Sequence, residues 1–372
     1  MIKIAIVSFT SPPTMTGPSF TGFERAKFLA SKGYCVDLYY PYPSELWQSR
    51  NWNKVYSREE YQDYLRFFFG SAANSLINIT CLPASYFSLM RCFDYPYTDY
   101  ISIYKQKYWR ILLEDGFQLF FSIRNMHYIK KYDVRIVNIV QTYYFAILPR
   151  AVRYQIITYA SLFAFMLRKN IATFFIAPHL VPKLFAKMGN THRVGNFHAL
   201  RGTYHDYTKT PATKRCYLLC KLHDNHKNFS QILKWTRGVC EVDVFGDGPD
   251  KKKLGKFAHC HYKGVVSDPK TAVCEYGIYL SASRNEGVCT AHMEALAMNK
   301  LLLIVDAPCN LFLKKQENVY FFRNEIEFKF QLRFLLYEHP GAVVTDMGEF
   351  SWHTANNNLL REIKKMPHAR II

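Results

Sequence analysis

The stretch Tyr279–Asn310, YLSASRNEGVCTAHMEALAMNKLLLIVDAPCN, sets a polar loop and a helix-forming run between two apolar segments. AHMEALAMN is rich in Ala, Met, Glu and Leu, which lose little side-chain freedom in a helix, so a helix is predicted there. Thr290 stands where a capping hydroxyl is wanted, and Gly287 lies in the turn before it. LLLIV, beginning at Leu301, predicts a buried strand. A helix entered in this way presents amides with no intrahelical acceptor and the positive end of its dipole. The N–H groups of Val288, Cys289, Thr290 and Ala291 are therefore candidates for holding a diphosphate. Two carboxylates bracket that helix start, Glu286 in the loop and Glu294 eight residues later.

Outward from this stretch, other segments read as alternating strands and helices. KIAIVSFTSPPTMTGPSF gives a buried first strand, Ile4 to Phe9, followed by a loop containing Thr16, Gly17 and Pro18, where glycine permits close approach of backbone to a ligand. RIVNIVQTYYFAI ends a strand near Gln141 and Thr142. KRCYLLCKLHDNHKNFSQIL reads as a strand and a helix, with Lys221 at the strand end and Lys227 before the helix. VDVFGDGPDKKKL is a strand with a glycine turn in which Gly246 and Gly248 are structural, and FSWHTANNNLLREI is a helix near the C-terminal end. No repeat of fixed period is visible, and 372 residues at 49% hydrophobic content fill two cores, so two doubly wound α/β domains are expected.

In this order the segments resemble the retaining GT-B glycosyltransferases of the family 4 type. The wording VCTAHMEALAMNK…APCN is similar to the digalactosyldiacylglycerol synthases. The likeness touches segments from residue 4 to about 362 and is loose from about 44 to 130. It implies two Rossmann-like domains facing a cleft: residues 1–200 on the acceptor side, 201–345 binding a nucleotide sugar, and a closing helix in 346–372 that packs back on the first domain. VGNFHALRGTYHD, with Asn196 and His198, resembles the join.

The resemblance also implies roles. Glu286 would hold donor sugar hydroxyls, Glu294 the ribose, and Lys221 and Lys227 the phosphates, with Gly287, Val288, Cys289 and Thr290 lining the donor site. Thr16 and Gly17 would lie in the loop across the cleft from those phosphates. Gln141 falls where related enzymes often carry His, and an amide bonds but does not titrate near neutrality. Lys221 and Lys227 stand one residue further apart than is usual. The implied chemistry is front-face substitution, in which the departing diphosphate helps to deprotonate the acceptor hydroxyl. The co-substrate would be a nucleotide diphosphate sugar, UDP-hexose being the expectation, with no other cofactor. No Asp-x-Asp is present, so a metal-independent transfer is expected.

The ten cysteines are scattered and follow no standard ligand spacing, which favours reduced thiols over disulfides or zinc, and Cys289 reads as small buried filler. The first strand begins almost at Met1, leaving no room for a leader, so a cytoplasmic protein is expected. The longest apolar run, Ile156 to Leu167, is too short to span a bilayer and reads as a core helix or an interfacial one. The formal charge of +19 suits an anionic partner. With interleaved aromatics in YPYTDYISIYKQKYW, it fits an anionic membrane surface bearing a glycolipid acceptor. The alternative acceptor is DNA with hydroxymethylated bases, or another anionic polymer. A binding module that has lost turnover is the third reading, with Gln141 as its support.

Overall fold

The computed structural model describes residues 1–9, 17–51, 55–68, 75–87, 92–94, 97–114, 127, 131–140, 171–175, 180, 193–194, 213–266, 269–284, 286–341 and 344–366. The chain divides into two compact units, Met1–Ala199 with Trp352–Ile372, and Leu200–Ser351.

In the first unit, β1 (Lys3–Ser8) leads to α1 (Gly17–Ser31), then β2 (Cys35–Pro43), α2 (Glu45–Asn51) and α3 (Arg58–Phe68). β3 (Ile77–Phe87), β4 (Cys92–Asp94), α4 (Tyr97–Lys105), β5 (Arg110–Glu114), β6 (Ile136–Val140), β7 (Ile171–Phe175) and β8 (Arg193–Val194) follow. The sheet order is β4-β3-β2-β1-β5-β6-β7-β8, parallel throughout except for the β3/β4 pair. Ile4, Ala5, Ile6 and Val7 of β1 are all buried, as a central parallel strand with both faces covered requires. Ala5, Val7, Ile111 and Leu113 face Tyr100, Ile103 and Tyr104 of α4, so these aromatics of YPYTDYISIYKQKYW are core.

The second unit contains β9 (Cys216–Leu219), α5 (Asp224–Lys227), α6 (Phe229–Thr236), β10 (Val242–Phe245), β11 (Cys260–Gly264) and α7 (Pro269–Ala272). β12 (Ile278–Ser281), α8 (Thr290–Ala297), β13 (Leu301–Val305), β14 (Val319–Phe322) and α9 (Glu325–Arg333) complete it. Its sheet is all parallel in the order β11-β10-β9-β12-β13-β14. Leu218, Leu280 and Leu303 pack on one face against Ile232, Leu233 and Trp235 of α6 and Phe328 and Leu332 of α9. On the other face Tyr279 meets His292 of α8 edge-on, with ring centroids 5.5 Å apart. Helices therefore cover both faces, the doubly wound arrangement expected of the sequence.

The closing helix, α10 (Trp352–Lys365), belongs to the first unit. Two buried arginines hold it. The Arg25 guanidinium pairs with Glu114 at the end of β5 and donates to the Asn356 side chain at 2.5 Å. Arg110 donates to the Ile363 and Met366 carbonyls at 3.3 and 3.2 Å, satisfying acceptors that a helix C-terminus leaves open. Among the described residues no helix is long and apolar enough to cross a membrane. The run from Ile156 to Leu167 lies outside the described residues, as do Thr16, Gln141, Thr142, Asn196 and His198.

Candidate functional site

In the second sheet the strand order reverses between β9 and β12, whose following connections lead away to opposite sides. Such a switch point leaves a crevice outside the carboxyl ends of the strands, where open α/β sheets bind ligands. The connection after β9 carries Lys221 and Lys227, and the one after β12 carries Glu286.

The connection after β9 is staked down. The Leu222 amide donates to the Asp247 carbonyl at 2.8 Å, and the Asp224 amide donates to the Asp250 carboxylate at 2.9 Å. The Asp224 carboxylate in turn accepts from the Ser230 amide and from Lys253. Gly246 has φ +120°, and a Cβ there would come within 1.9 Å of the Cys220 carbonyl oxygen; a Cβ on Gly248 would lie 2.4 Å from that of Leu222. The two glycines let the β10 turn press against this connection, which makes them structural, as the sequence suggested.

The connection after β12 is clamped from both sides. The Asn228 side chain donates to the Ala282 carbonyl at 3.1 Å from a residue in left-handed backbone, φ +47°. The Asn310 side chain donates to Val305 and Ser283 carbonyls at 2.9 and 3.4 Å, tying the loop to the end of β13. On this platform the Lys227 ammonium and the Ser283 hydroxyl both donate to one oxygen, Glu286 Oε1, the hydroxyl at 2.5 Å. Their two charged side chains are 21% and 18% exposed, open enough for a ligand to reach.

Electrostatics follow from this packing. Burial pushes the Glu286 carboxyl up, but the Lys227 charge, its hydrogen bond and that of Ser283 outweigh burial and hold it below the usual range. Burial acts to lower the Lys227 ammonium; Glu286 reverses this and leaves it raised, so the pair is ionised. Burial lifts the Cys289 thiol to about 11 and the Cys220 thiol to about 12 despite Lys227 nearby. Cys289 is thus protonated filler, not an activated nucleophile.

Helix α8 corrects one detail. Thr290 is its first helical residue and Cys289 is its N-cap, in extended backbone and without a side-chain capping bond. Gly287 is buried and Val288 half-buried in the turn before it, and Glu294, buried at 5% exposure, sits one helical turn further in. Lys221 is exposed and makes no ion pair among the described residues, so Lys227 and Glu286 are brought together while Lys221 stands apart. Gly17 begins α1 in the other unit. Among the described residues no cluster of His, Cys, Asp and Glu fits a metal ion.

Sequence reasoning missed Ser283, Asn228, Asn310 and His292. Ser283 lies three residues before Glu286, a spacing that permits the bond without announcing it. His292, 1% exposed, has an Nε2 with no hydrogen-bond partner among the described residues. Burial drives it to about 3, with Glu286 opposing and Lys227 reinforcing that shift.

Comparison with solved structures extends over nearly the whole chain. HepE from Anabaena in complex with UDP and glucose superposes with a TM-score of 0.66 at 10% identity, covering 98% of this chain and 100% of HepE. The apo form of the lipopolysaccharide outer core galactosyltransferase WaaB gives 0.62 at 11%, covering 98% and 99%. This chain has the GT-B glycosyltransferase fold. Among curated proteins, the GT-B chain is 28% identical over 160 residues to digalactosyldiacylglycerol synthase 2 of Glycine max, a match covering 40% of this chain and 35% of that one. It is 30% identical over 150 residues to digalactosyldiacylglycerol synthase 2 of Lotus japonicus, covering 38% and 31%. The chain thus spans about a third of the length of these relatives. No protein-family model matches it.

Proposed function

We propose that this chain is a retaining glycosyltransferase that moves a hexose from UDP-hexose to a hydroxyl of a membrane glycolipid. The observation that carries this reading is the Lys227–Glu286–Ser283 cluster at the β9/β12 switch point, in a GT-B fold whose solved neighbours include one in complex with UDP and glucose. The named relatives in galactolipid synthesis support a glycolipid acceptor.

In this reading Leu200–Ser351 is the donor domain, and the first unit with its closing helix serves the acceptor. The diphosphate lies against the start of α8, where first-turn amides lack intrahelical acceptors. Lys227 and the exposed Lys221 neutralise its oxygens, the point at which negative charge grows as the leaving group departs. Glu286 accepts hydrogen bonds from sugar hydroxyls, and Glu294 from the ribose. In place of the two-carboxylate duty of retaining glycosidases, this reading has front-face transfer driven by the diphosphate, with Glu286 paired to Lys227. Lysine charge takes the part that a metal ion plays elsewhere, so the transfer is metal-independent. Thr16, Gly17 and Gln141 are kept as donor-site residues in this reading on the sequence resemblance alone. The surplus positive charge attracts an anionic bilayer surface, giving a peripheral membrane enzyme.

A radiolabel transfer assay tests this. The protein is incubated with labelled UDP-hexoses, with and without a chelator, in the presence of extracted glycolipids, plain DNA or DNA bearing hydroxymethylated bases. Label entering the organic phase, with the anomeric configuration of the donor kept, is the expected outcome. Label in DNA would replace the acceptor, an inverted product would overturn retention, and no transfer with every donor would overturn the activity.

A further inference from the structure

Lys227 and Glu286 are each assigned to the donor, yet in this structure each is engaged with the other. The ammonium and the Ser283 hydroxyl share Oε1 of the same carboxylate, and the two charges reinforce each other's ionised states. Lys227 cannot give its full charge to a phosphate while it neutralises Glu286. Nor can Oε1 of Glu286, already receiving two donors, readily take a third from a sugar hydroxyl.

Resting on the donor-site reading above, we infer that donor binding is an exchange of partners: the diphosphate draws Lys227 off Glu286, and Ser283 holds the released carboxylate in place for the sugar. The charges decide the direction. A diphosphate brings more than one negative charge to a single ammonium, whereas the carboxylate brings one, so the ammonium follows the ligand. A neutral nucleoside or a free sugar offers no such charge and leaves the pair closed. Oε1 of Glu286 therefore becomes available to the sugar only after the diphosphate is seated, which couples full engagement of the sugar to binding of a nucleotide diphosphate.

Ser283 supplies the fixed point. It is fully buried, its carbonyl is held by Asn310, and its hydroxyl reaches Oε1 at 2.5 Å, so it does not depend on Lys227 for its place. When the ammonium leaves, the Ser283 hydroxyl still donates to the carboxylate, keeping it ionised and aimed. Ser283 is a positioning residue in this scheme.

The exchange predicts an effect that a plain sugar-binding role for Glu286 does not. Glu286→Gln, nearly isosteric, removes the competitor for Lys227 and should tighten UDP by about threefold or more in titration calorimetry. Lys227→Met should weaken UDP, and in that background Glu286→Gln should change nothing. Wild-type affinity in Glu286→Gln, or weaker binding, would overturn the exchange. So would a gain that persists undiminished in the Lys227→Met background, because Glu286 would then merely repel the diphosphate. A wild-type protein that binds no UDP would sink the donor-site reading along with the inference, whereas a binding wild type with no gain in the variant sinks the inference alone. Ser283→Ala should weaken UDP-hexose more than it weakens UDP, and Ser283→Thr should restore UDP-hexose binding. Equal loss for both ligands would mark Ser283 as structural only and remove the fixed point.

Discussion

His292 gives the sharpest physical test of the second unit, because its cost is written into the pH dependence of stability. Burial holds the imidazole at about 3, against 6.5 for an ordinary histidine. Between those values the unfolded chain takes up a proton that the folded chain refuses. The stability tied to the neutral ring is therefore complete above pH 6.5 and is lost as pH falls towards 3. Going from about pH 7.5 to about pH 5 crosses one and a half units of that window, which removes about 2 kcal/mol at ~1.36 kcal/mol per unit. Glu286, whose carboxyl is held below the usual range, loses stability only at lower pH and stays outside this interval. His292→Leu keeps the volume close and abolishes the titration. Because two units unfold in one chain, the suitable readout is hydrogen exchange of the core amides of β12 and β13, corrected for intrinsic rate. The expected result is that wild type loses about 2 kcal/mol more than His292→Leu over this pH step. Equal losses in the two proteins would refute the reasoning, and would mean that the ring has a partner or solvent access that burial at 1% exposure does not suggest.

Lys227→Met should lower the rate of transfer by about tenfold or more, since it removes charge from the place where the leaving group develops it; an unchanged rate would end that assignment. Glu294→Ala should weaken UDP-hexose binding with little effect on folding, checked by calorimetry beside a melting curve. Gly246→Ala should cost more than about 2 kcal/mol, because its Cβ would meet the Cys220 carbonyl at 1.9 Å in a backbone of φ +120°, and urea unfolding measures this. Arg25→Met strands the fully buried Glu114 and should cost about 3–5 kcal/mol, most of it recovered when Glu114→Leu is added.

The fold was legible because its signals are local. LLLIV reads as a buried strand, and all five residues of β13 are buried. KIAIVS reads likewise, and its apolar residues fill the centre of the first sheet. Where a helix begins is less local. Ala, Met, Glu and Leu fix that α8 exists, but the terminal residue of a helix shifts by one or two positions with its surroundings, so Thr290, the better capping residue of the two, came out one residue within and Cys289 stands at the N-cap. The partners of Glu286 were legible only in part. Resemblance assigned Lys227 and Glu286 to one ligand, but 59 residues separate them and only the β9/β12 adjacency makes them touch. Ser283, Asn228 and Asn310 act through hydrogen bonds whose geometry depends on that same adjacency, so no spacing rule marks them. His292 sits among Ala, Met and Leu in a helical run, where periodicity predicts a face and cannot tell a paired imidazole from an unpaired one.

The place of the pair also limits how it can move. Beneath it, Leu218 of β9 and Leu280 of β12 belong to one close-packed core, and such interiors do not deform continuously. Above it, both connections are tied at their backbones, one by Asp224, Asp250 and the β10 turn, the other by Asn228 and Asn310. The freedom left at the switch point belongs to side chains, chiefly to the long stem of Lys227 and to the exposed Lys221. A change of partner there needs side-chain rotamer changes and no rearrangement of the sheet, and side-chain motion is faster than collective motion of packed elements. Partner exchange at Glu286 should therefore be fast compared with turnover and appear in affinity, not as a slow phase in binding kinetics. A lag in UDP association that disappears in Glu286→Gln would show instead that opening the pair requires the clamped connections themselves to give way.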